Sequence, residues 1–244
     1  MTQAEPIRPI KDLSDFRLFT SACECRYSNA YLLWDRAGAI WAEFSDAYPS
    51  IRMLKADPGQ TIFRLEERFE FNLRLDRFSV HSYGISASDE FAAVVEKFAS
   101  IATRQLQIES YSRIGMRPIF YRDYPDEATA TEHLLALNLL RVPAQPSFGI
   151  SGVPKNPRYI VHWEDKSKGC MIHVYVQRRE FEPEALPFAW EGPPLKRLES
   201  TVLAVDVDYY TVASATVGQV NLREWITQAM HVIRRDASQF LEGK

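Results

Sequence analysis

The chain has 244 residues, of which 46% are hydrophobic and 25% are charged, a composition typical of a globular protein. Its net charge is -3, whereas nucleic-acid-binding proteins are typically strongly basic. No stretch reaches the roughly 18 apolar residues of a membrane span, and the first residues contain no apolar signal core. The odd number of cysteines, three, is typical of reduced thiols. We therefore expect a cytoplasmic protein.

The first elements along the chain read as a strand, a helix and a second strand. Residues 19–28 predict a strand. Residues 32–48 predict a helix that ends before Pro49. Residues 50–57 predict the next strand, and turn residues at 57–60 end it.

The clearest periodicity lies in residues 61–76. Apolar side chains fall mainly on the odd positions and charged side chains on the even ones, which predicts strands with one buried face. The run is longer than a typical strand, so we expect it to break near Glu67 and Arg68, where a charge interrupts the apolar face. Residues 88–106 then predict an amphipathic helix with Ser88 as its N-cap.

The rest of the chain repeats this order of signals. The predicted elements are a strand at 109–122, a helix at 126–140, a hairpin at 158–163 and 170–177, a strand at 201–210 and a helix capped by Asn221. Both parts read β-α-β-β-β-α, which indicates a duplication with halves at 1–106 and 107–244. The sequence thus predicts an α+β fold with antiparallel sheets and helices packed on one face, forming one compact unit.

The first strand of the second half carries a candidate ligand site. In an extended chain, Tyr111, Arg113, Gly115 and Arg117 point to one face. Arg113 and Arg117 then flank a gap above Gly115 that could hold a carboxylate or a phosphate, because guanidinium groups suit both anions. Tyr111 is expected to pack beside this ligand. The alternative is that both arginines pair with acidic neighbours in the sheet, such as Glu109, Asp206 or Asp208. Pro118 suggests an edge strand or a bulge.

The predicted hairpin offers a second candidate site. If a two-residue loop at 167–168 joins its strands, His162 lies directly across from His173, and Glu164 shares their face. Two histidines and a carboxylate could hold Fe(II) or Zn(II). A one-step change of register places the histidines on a diagonal, and the face is then the solvent side of a strand pair. The sequence contains no motif for a nucleotide cofactor.

The remaining conspicuous side chains are interpreted as core residues. Cys23 and Cys25 share a face of one strand, and buried thiols behave as small hydrophobic groups. Trp34 and Trp41 lie seven residues apart on one stripe of the first helix, which favours core packing.

Three features carry a resemblance to a known family. They are the pair Tyr48–Pro49, the stretch RIGMR at 113–117 and the strand VDVDYY at 205–210. The chain resembles a sporadically distributed bacterial family of similar length that has no established activity. The family pattern is Arg-x-Gly-Leu-Arg-Tyr-x-Asn-Arg, which Arg113, Gly115 and Arg117 match. Met116 replaces its leucine, and Pro118, Phe120 and Tyr121 depart from its later positions. The resemblance implies no reaction.

These observations favour a non-enzymatic binding protein that holds a protein or an anionic small molecule between its two halves. Arg113 and Arg117 would bind the anion, and Tyr111 would pack beside it. Nucleic acid and membrane are not expected as partners, no cofactor is expected, and self-association is left open. The competing hypothesis is a metal-dependent enzyme that uses the His/Glu/His face of the second-half hairpin.

Overall fold

A computed structural model describes residues 8–84, 88–139, 155–181 and 198–243. Within these ranges nine strands form one antiparallel sheet, two short strands form a second sheet, and four α-helices are present. The fold is therefore α+β, as predicted. The elements are β1 (Arg17–Arg26), α1 (Leu33–Ala47), β2 (Ile51–Asp57), β3 (Gln60–Leu65), β4 (Phe69–Arg74), β5 (Arg77–Tyr83), α2 (Ser88–Leu106), β6 (Ser110–Tyr111), β7 (Arg113–Tyr124), α3 (Glu127–Ala136), β8 (Arg158–Glu164), β9 (Lys168–Phe181), β10 (Leu198–Thr211), β11 (Ala215–Thr216) and α4 (Leu222–Leu241).

The strand order of the large sheet is β2-β3-β4-β5-β1-β7-β10-β9-β8. β1 and β7 form the antiparallel pair at its centre, and this pair joins the parts of the chain before and after residue 106 into one sheet. β5 flanks β1 and β10 flanks β7, so within the large sheet the last strand of each part lies beside the first strand of the same part. This order is compatible with a duplication, which stays a prediction.

The first part of the chain differs from the predicted unit. The run at 61–76 breaks where expected, since β3 ends at Leu65 and β4 begins at Phe69. However, four strands rather than three separate α1 from α2, and the fourth is β5. The sequence did not reveal β5 because neither glycine nor proline marks the tight turn at 75–76 that precedes it.

The core lies between the helices and one face of the large sheet. Alternate strand residues such as Phe71, Phe78 and Ile114 are almost fully buried there together with apolar residues of all four helices. Trp41 packs against this core, but Trp34 is 58% exposed, so its predicted core packing is wrong. Cys23 and Cys25 belong to this core, and burial raises the pKa of the Cys25 thiol. In the described ranges no helix has the length and apolar character that crossing a membrane requires.

We call the opposite face of the large sheet the open face, and its side chains have different neighbours from those of the core. The buried apolar residues of the helices belong to the core on the first face. The small apolar cluster on the open face consists of strand residues only, in the part of the chain that the structure describes. The open face therefore presents strand side chains, and the candidate site residues lie on it.

Candidate functional site

The arginine strand β7 occupies the centre of the sheet, between β1 and β10. Ile114 and Met116 point into the core, so Arg113, Gly115 and Arg117 point to the open face, as the alternation predicts. The suggestion that Pro118 marks an edge strand is wrong. Proline is tolerated here because the ladder between β7 and β10 is interrupted around it.

Arg117 is held by a buried carboxylate on β10. Its Nε donates to Oδ1 of Asp206 at 2.9 Å, and its Nη2 donates to Oδ2 at 2.7 Å. The Asp206 side chain is only 6% exposed, whereas the Arg117 side chain is 53% exposed. The hydrogen bonds with Asp206 raise the pKa of Arg117. This two-point contact is the strong form of an arginine–carboxylate pair.

Arg113 is held by two carboxylates and an aromatic ring. Its Nη2 donates to both carboxylate oxygens of Asp208, at 2.9 and 2.8 Å, and its Nη1 lies 3.4 Å from Oε1 of Glu24. The guanidinium carbon is 4.2 Å from the ring centre of Tyr210, within range of a cation–π interaction.

The space above Gly115 is filled by Arg113. A Cβ at Gly115 would lie 2.9 Å from Nη1 of Arg113, so the glycine leaves room for the guanidinium of its own strand. The alternative in which both arginines pair with acidic neighbours is therefore observed, with Asp206 and Asp208 as the partners. An anion-binding role for the arginines stays a prediction.

Tyr111 does not lie beside the two arginines. It belongs to β6, is 2% exposed, and packs edge-on against Phe78 of the core with ring centres 6.1 Å apart. The chain changes course at Ser112, whose N–H donates to the carbonyl of Arg26. Burial raises the pKa of Tyr111. The prediction that Tyr111 shares a face with Arg113 and Arg117 is wrong because it assumed an unbroken strand from residue 111 to residue 117.

A polar hollow of about 160 Å³ on the open face is bordered by Gly115 and by the side chain of Arg113 that covers it. Its walls include five residues that were not predicted as site residues, namely Ala22, Glu24, Arg26, Ser79 and His81. Nε2 of His81 lies 3.1 Å from Oγ of Ser79, and burial lowers the pKa of His81. Ser79 is 8% exposed, and this contact orients the imidazole of His81. The sequence gives no signal for this hollow, since it depends on strands that are distant in the chain.

An aromatic cluster adjoins the paired arginines on the open face. Phe19 and Tyr121 stack with ring centres 4.5 Å apart, and the guanidinium of Arg179 lies 4.1 Å from the Phe19 ring. The ring centres of His173 and Tyr175 are 4.2 Å apart. Burial raises the pKa of Tyr175 to about 12. The centre of the open face is therefore rich in arginine and aromatic side chains.

The hairpin residues take the diagonal register. His162 is opposite Met171, and His173 is opposite Ile160, because the connecting turn is centred on residues 166–167 and not on residues 167–168. His162 contacts the hydroxyl of Tyr210 at 2.8 Å, and that hydroxyl donates to Glu164 at 2.7 Å.

The described ranges contain no group of three or more His, Cys, Asp or Glu side chains placed to hold a metal ion. The set His162, Glu164 and His173 therefore lacks the geometry that the metal-enzyme hypothesis requires.

Two comparisons with known proteins complete the description of the site. No protein-family model matches the chain, and no curated protein matches it.

Proposed function

We propose that this protein is a non-catalytic binding protein and that the centre of its open face docks a protein partner. The observation that carries the proposal is the concentration of partly exposed arginine and aromatic side chains on one side of the sheet, above the buried ring of Tyr121, namely Arg113, Arg117, Arg179, Tyr175 and Tyr210. Arginine and tyrosine are enriched at the centres of protein interfaces.

The side chains of this surface are already fixed in the free protein. Asp206 and Asp208 hold two of the arginines, and stacked rings hold the third. Docking therefore orders few side chains, which reduces the entropic cost of binding.

A protein partner fits this surface better than a small anion does. The charges of Arg113 and Arg117 are matched by those of Asp206 and Asp208, and the nearby Glu24 is itself paired with Arg26. An anion would have to displace carboxylates from two-point contacts. The hollow of about 160 Å³ is also smaller than the roughly 300–1,000 Å³ of typical small-molecule sites.

Affinity purification with charge-reversal variants tests the proposal. Arg179→Glu removes a cation from the aromatic cluster, while Arg223→Glu makes the same change at an exposed position of α4. A partner of the open face should co-purify with the wild type and with Arg223→Glu but be lost with Arg179→Glu. Retention of every co-purifying protein by Arg179→Glu would refute the proposal.

A thermal-shift assay separates the anion alternative. If inorganic phosphate or citrate raises the melting temperature of the wild type, and Arg113→Ala with Arg117→Ala abolishes that rise, the arginines are an anion site and the protein-docking proposal is replaced. We expect no specific rise.

A further inference from the structure

The two edges of the large sheet differ in their protection against strand pairing. β2, at one edge, has a register irregularity between Met53 and Lys55 and a lysine on its exposed surface. Bulges and lysines are devices that prevent edge strands from pairing with other chains. β8, at the other edge, has neither lysine nor proline, and its register with β9 is unbroken. Among the described residues no strand pairs with the outer side of β8.

β8 also exposes apolar side chains on both of its faces. Ile160 is 58% exposed on the open face, and Trp163 is 49% exposed on the helix side. Trp163 borders a cavity of about 330 Å³ beneath α4, whose other walls include Cys170, Ile172 and Phe240. At this edge the cavity is therefore bordered by a half-exposed indole.

The sequence of β8, RYIVHWE, is complementary to itself in the antiparallel direction. When Val161 of two copies face each other, Arg158 of each copy lies opposite Glu164 of the other, and Tyr159 lies opposite Trp163. This register keeps the helix-side residues of both copies on the same side of the joined sheet, because directly opposed residues share a face.

The charged ends of β8 are available for such a contact. Arg158 is exposed and has no ion-pair partner among the described residues. The side chain of Glu164 is 46% exposed and accepts a hydrogen bond from Tyr210 through one oxygen, Oε2. The other oxygen can accept the guanidinium of a second copy.

We propose that the protein forms a two-fold symmetric homodimer in which the β8 strands of two copies pair antiparallel about Val161. The two sheets then become one continuous sheet, and two Arg158–Glu164 ion pairs close the ends of the interface. Tyr159 of the second copy packs against Trp163 at the border of the cavity. A closed two-fold interface of this kind uses the same patch on both copies.

Charge exchange at the ends of β8 tests this register. Arg158→Glu places like charges at both ends of the interface, and so does Glu164→Arg. Sedimentation velocity should show a concentration-dependent dimer for the wild type and a dissociation constant about tenfold or more higher for each single variant. The doubly exchanged variant, Arg158→Glu with Glu164→Arg, should dimerise like the wild type.

A mixture of the two single variants gives the sharpest result. Neither variant alone should dimerise well, but each end of the mixed dimer carries opposite charges, so an equimolar mixture should form heterodimers. This rescue distinguishes a specific contact from damage to the fold. A wild type that stays monomeric at all concentrations overturns the proposal, and so does a mixture without heterodimers.

Hydrogen exchange locates the contact independently. Backbone amides of residues 158–164 should be better protected at high protein concentration than at low concentration, while those of β2 should not change. Concentration-dependent protection elsewhere, without protection of β8, would assign the dimer to another surface and overturn the proposed register. This outcome leaves the docking proposal for the open face unaffected, since that face is tested by its own variants.

Discussion

Removing the guanidinium of Arg117 tests how strongly the open face depends on its ion pairs. Arg117→Met keeps an apolar stem but leaves the Asp206 carboxylate, 6% exposed, without two hydrogen bonds. Hydrogen bonds to charged groups contribute about 1.5–3 kcal/mol, and breaking a fully buried pair costs about 3–5 kcal/mol. Because the Arg117 side chain is 53% exposed, water replaces part of the interaction. We expect the free energy of unfolding to fall by about 2 kcal/mol.

Urea unfolding with a matched control measures this loss. Arg17 bonds to Asp123 across the sheet, but these side chains are 64% and 52% exposed. Arg17→Met should therefore cost less than about 1 kcal/mol. Asp206→Asn removes the buried charge, and Arg117→Met in that background should also cost less than about 1 kcal/mol. Equal losses for Arg117→Met and Arg17→Met would refute the reasoning that burial of the carboxylate sets the magnitude.

Three further predictions concern single positions. Gly169→Ala places a methyl group 2.3 Å from the Tyr210 ring and should destabilise the protein by about 1–3 kcal/mol in urea unfolding. The control, Gly38→Ala, lies in open space on α1 and should stabilise the protein by about 0.5–1 kcal/mol. Burial lowers the pKa of His81 below its ordinary value of about 6.5, so folding favours the neutral ring. The contribution of the neutral ring to the free energy of unfolding is therefore present above that pH and lost on acidification. His81→Gln should flatten the fall in melting temperature between about pH 7 and 5, and an unchanged slope contradicts the assignment. Burial raises the pKa of Cys170 to about 11, so a thiolate-selective reagent at about pH 8 should label it slowly in the native protein and quickly in urea.

Local periodicity was sufficient to predict most of the fold. The alternation of apolar and charged side chains identified β3 and β4 and the break between Leu65 and Phe69, because side-chain direction in a strand depends only on neighbouring residues. The pairing of β1 with β7 could not be predicted in this way. It joins residues about 90 positions apart, such as Glu24 and Gly115, and no local pattern specifies which distant strand is adjacent.

Part of the candidate site was predicted, because the direction of a strand side chain follows from local alternation. Alternation correctly placed Asp206 and Asp208 on one face, which made them candidate partners for the arginines. It did not predict the filled space above Gly115, because it treats side chains as perpendicular to the sheet. Arg113 instead leans along its own strand across the glycine.

The pairing of charges on the open face determines how that face can recognise a partner. An arginine that receives an anionic ligand contributes unneutralised charge, and binding then weakens strongly with salt. Here Arg113 and Arg117 are each matched by an aspartate on β10, so the long-range field of the surface is small. In the docking that we propose, recognition therefore depends on shape, on the directions of the remaining guanidinium donors and on the aromatic rings. The rate of association with a protein partner should accordingly change little with ionic strength, because little electrostatic steering is available to be screened.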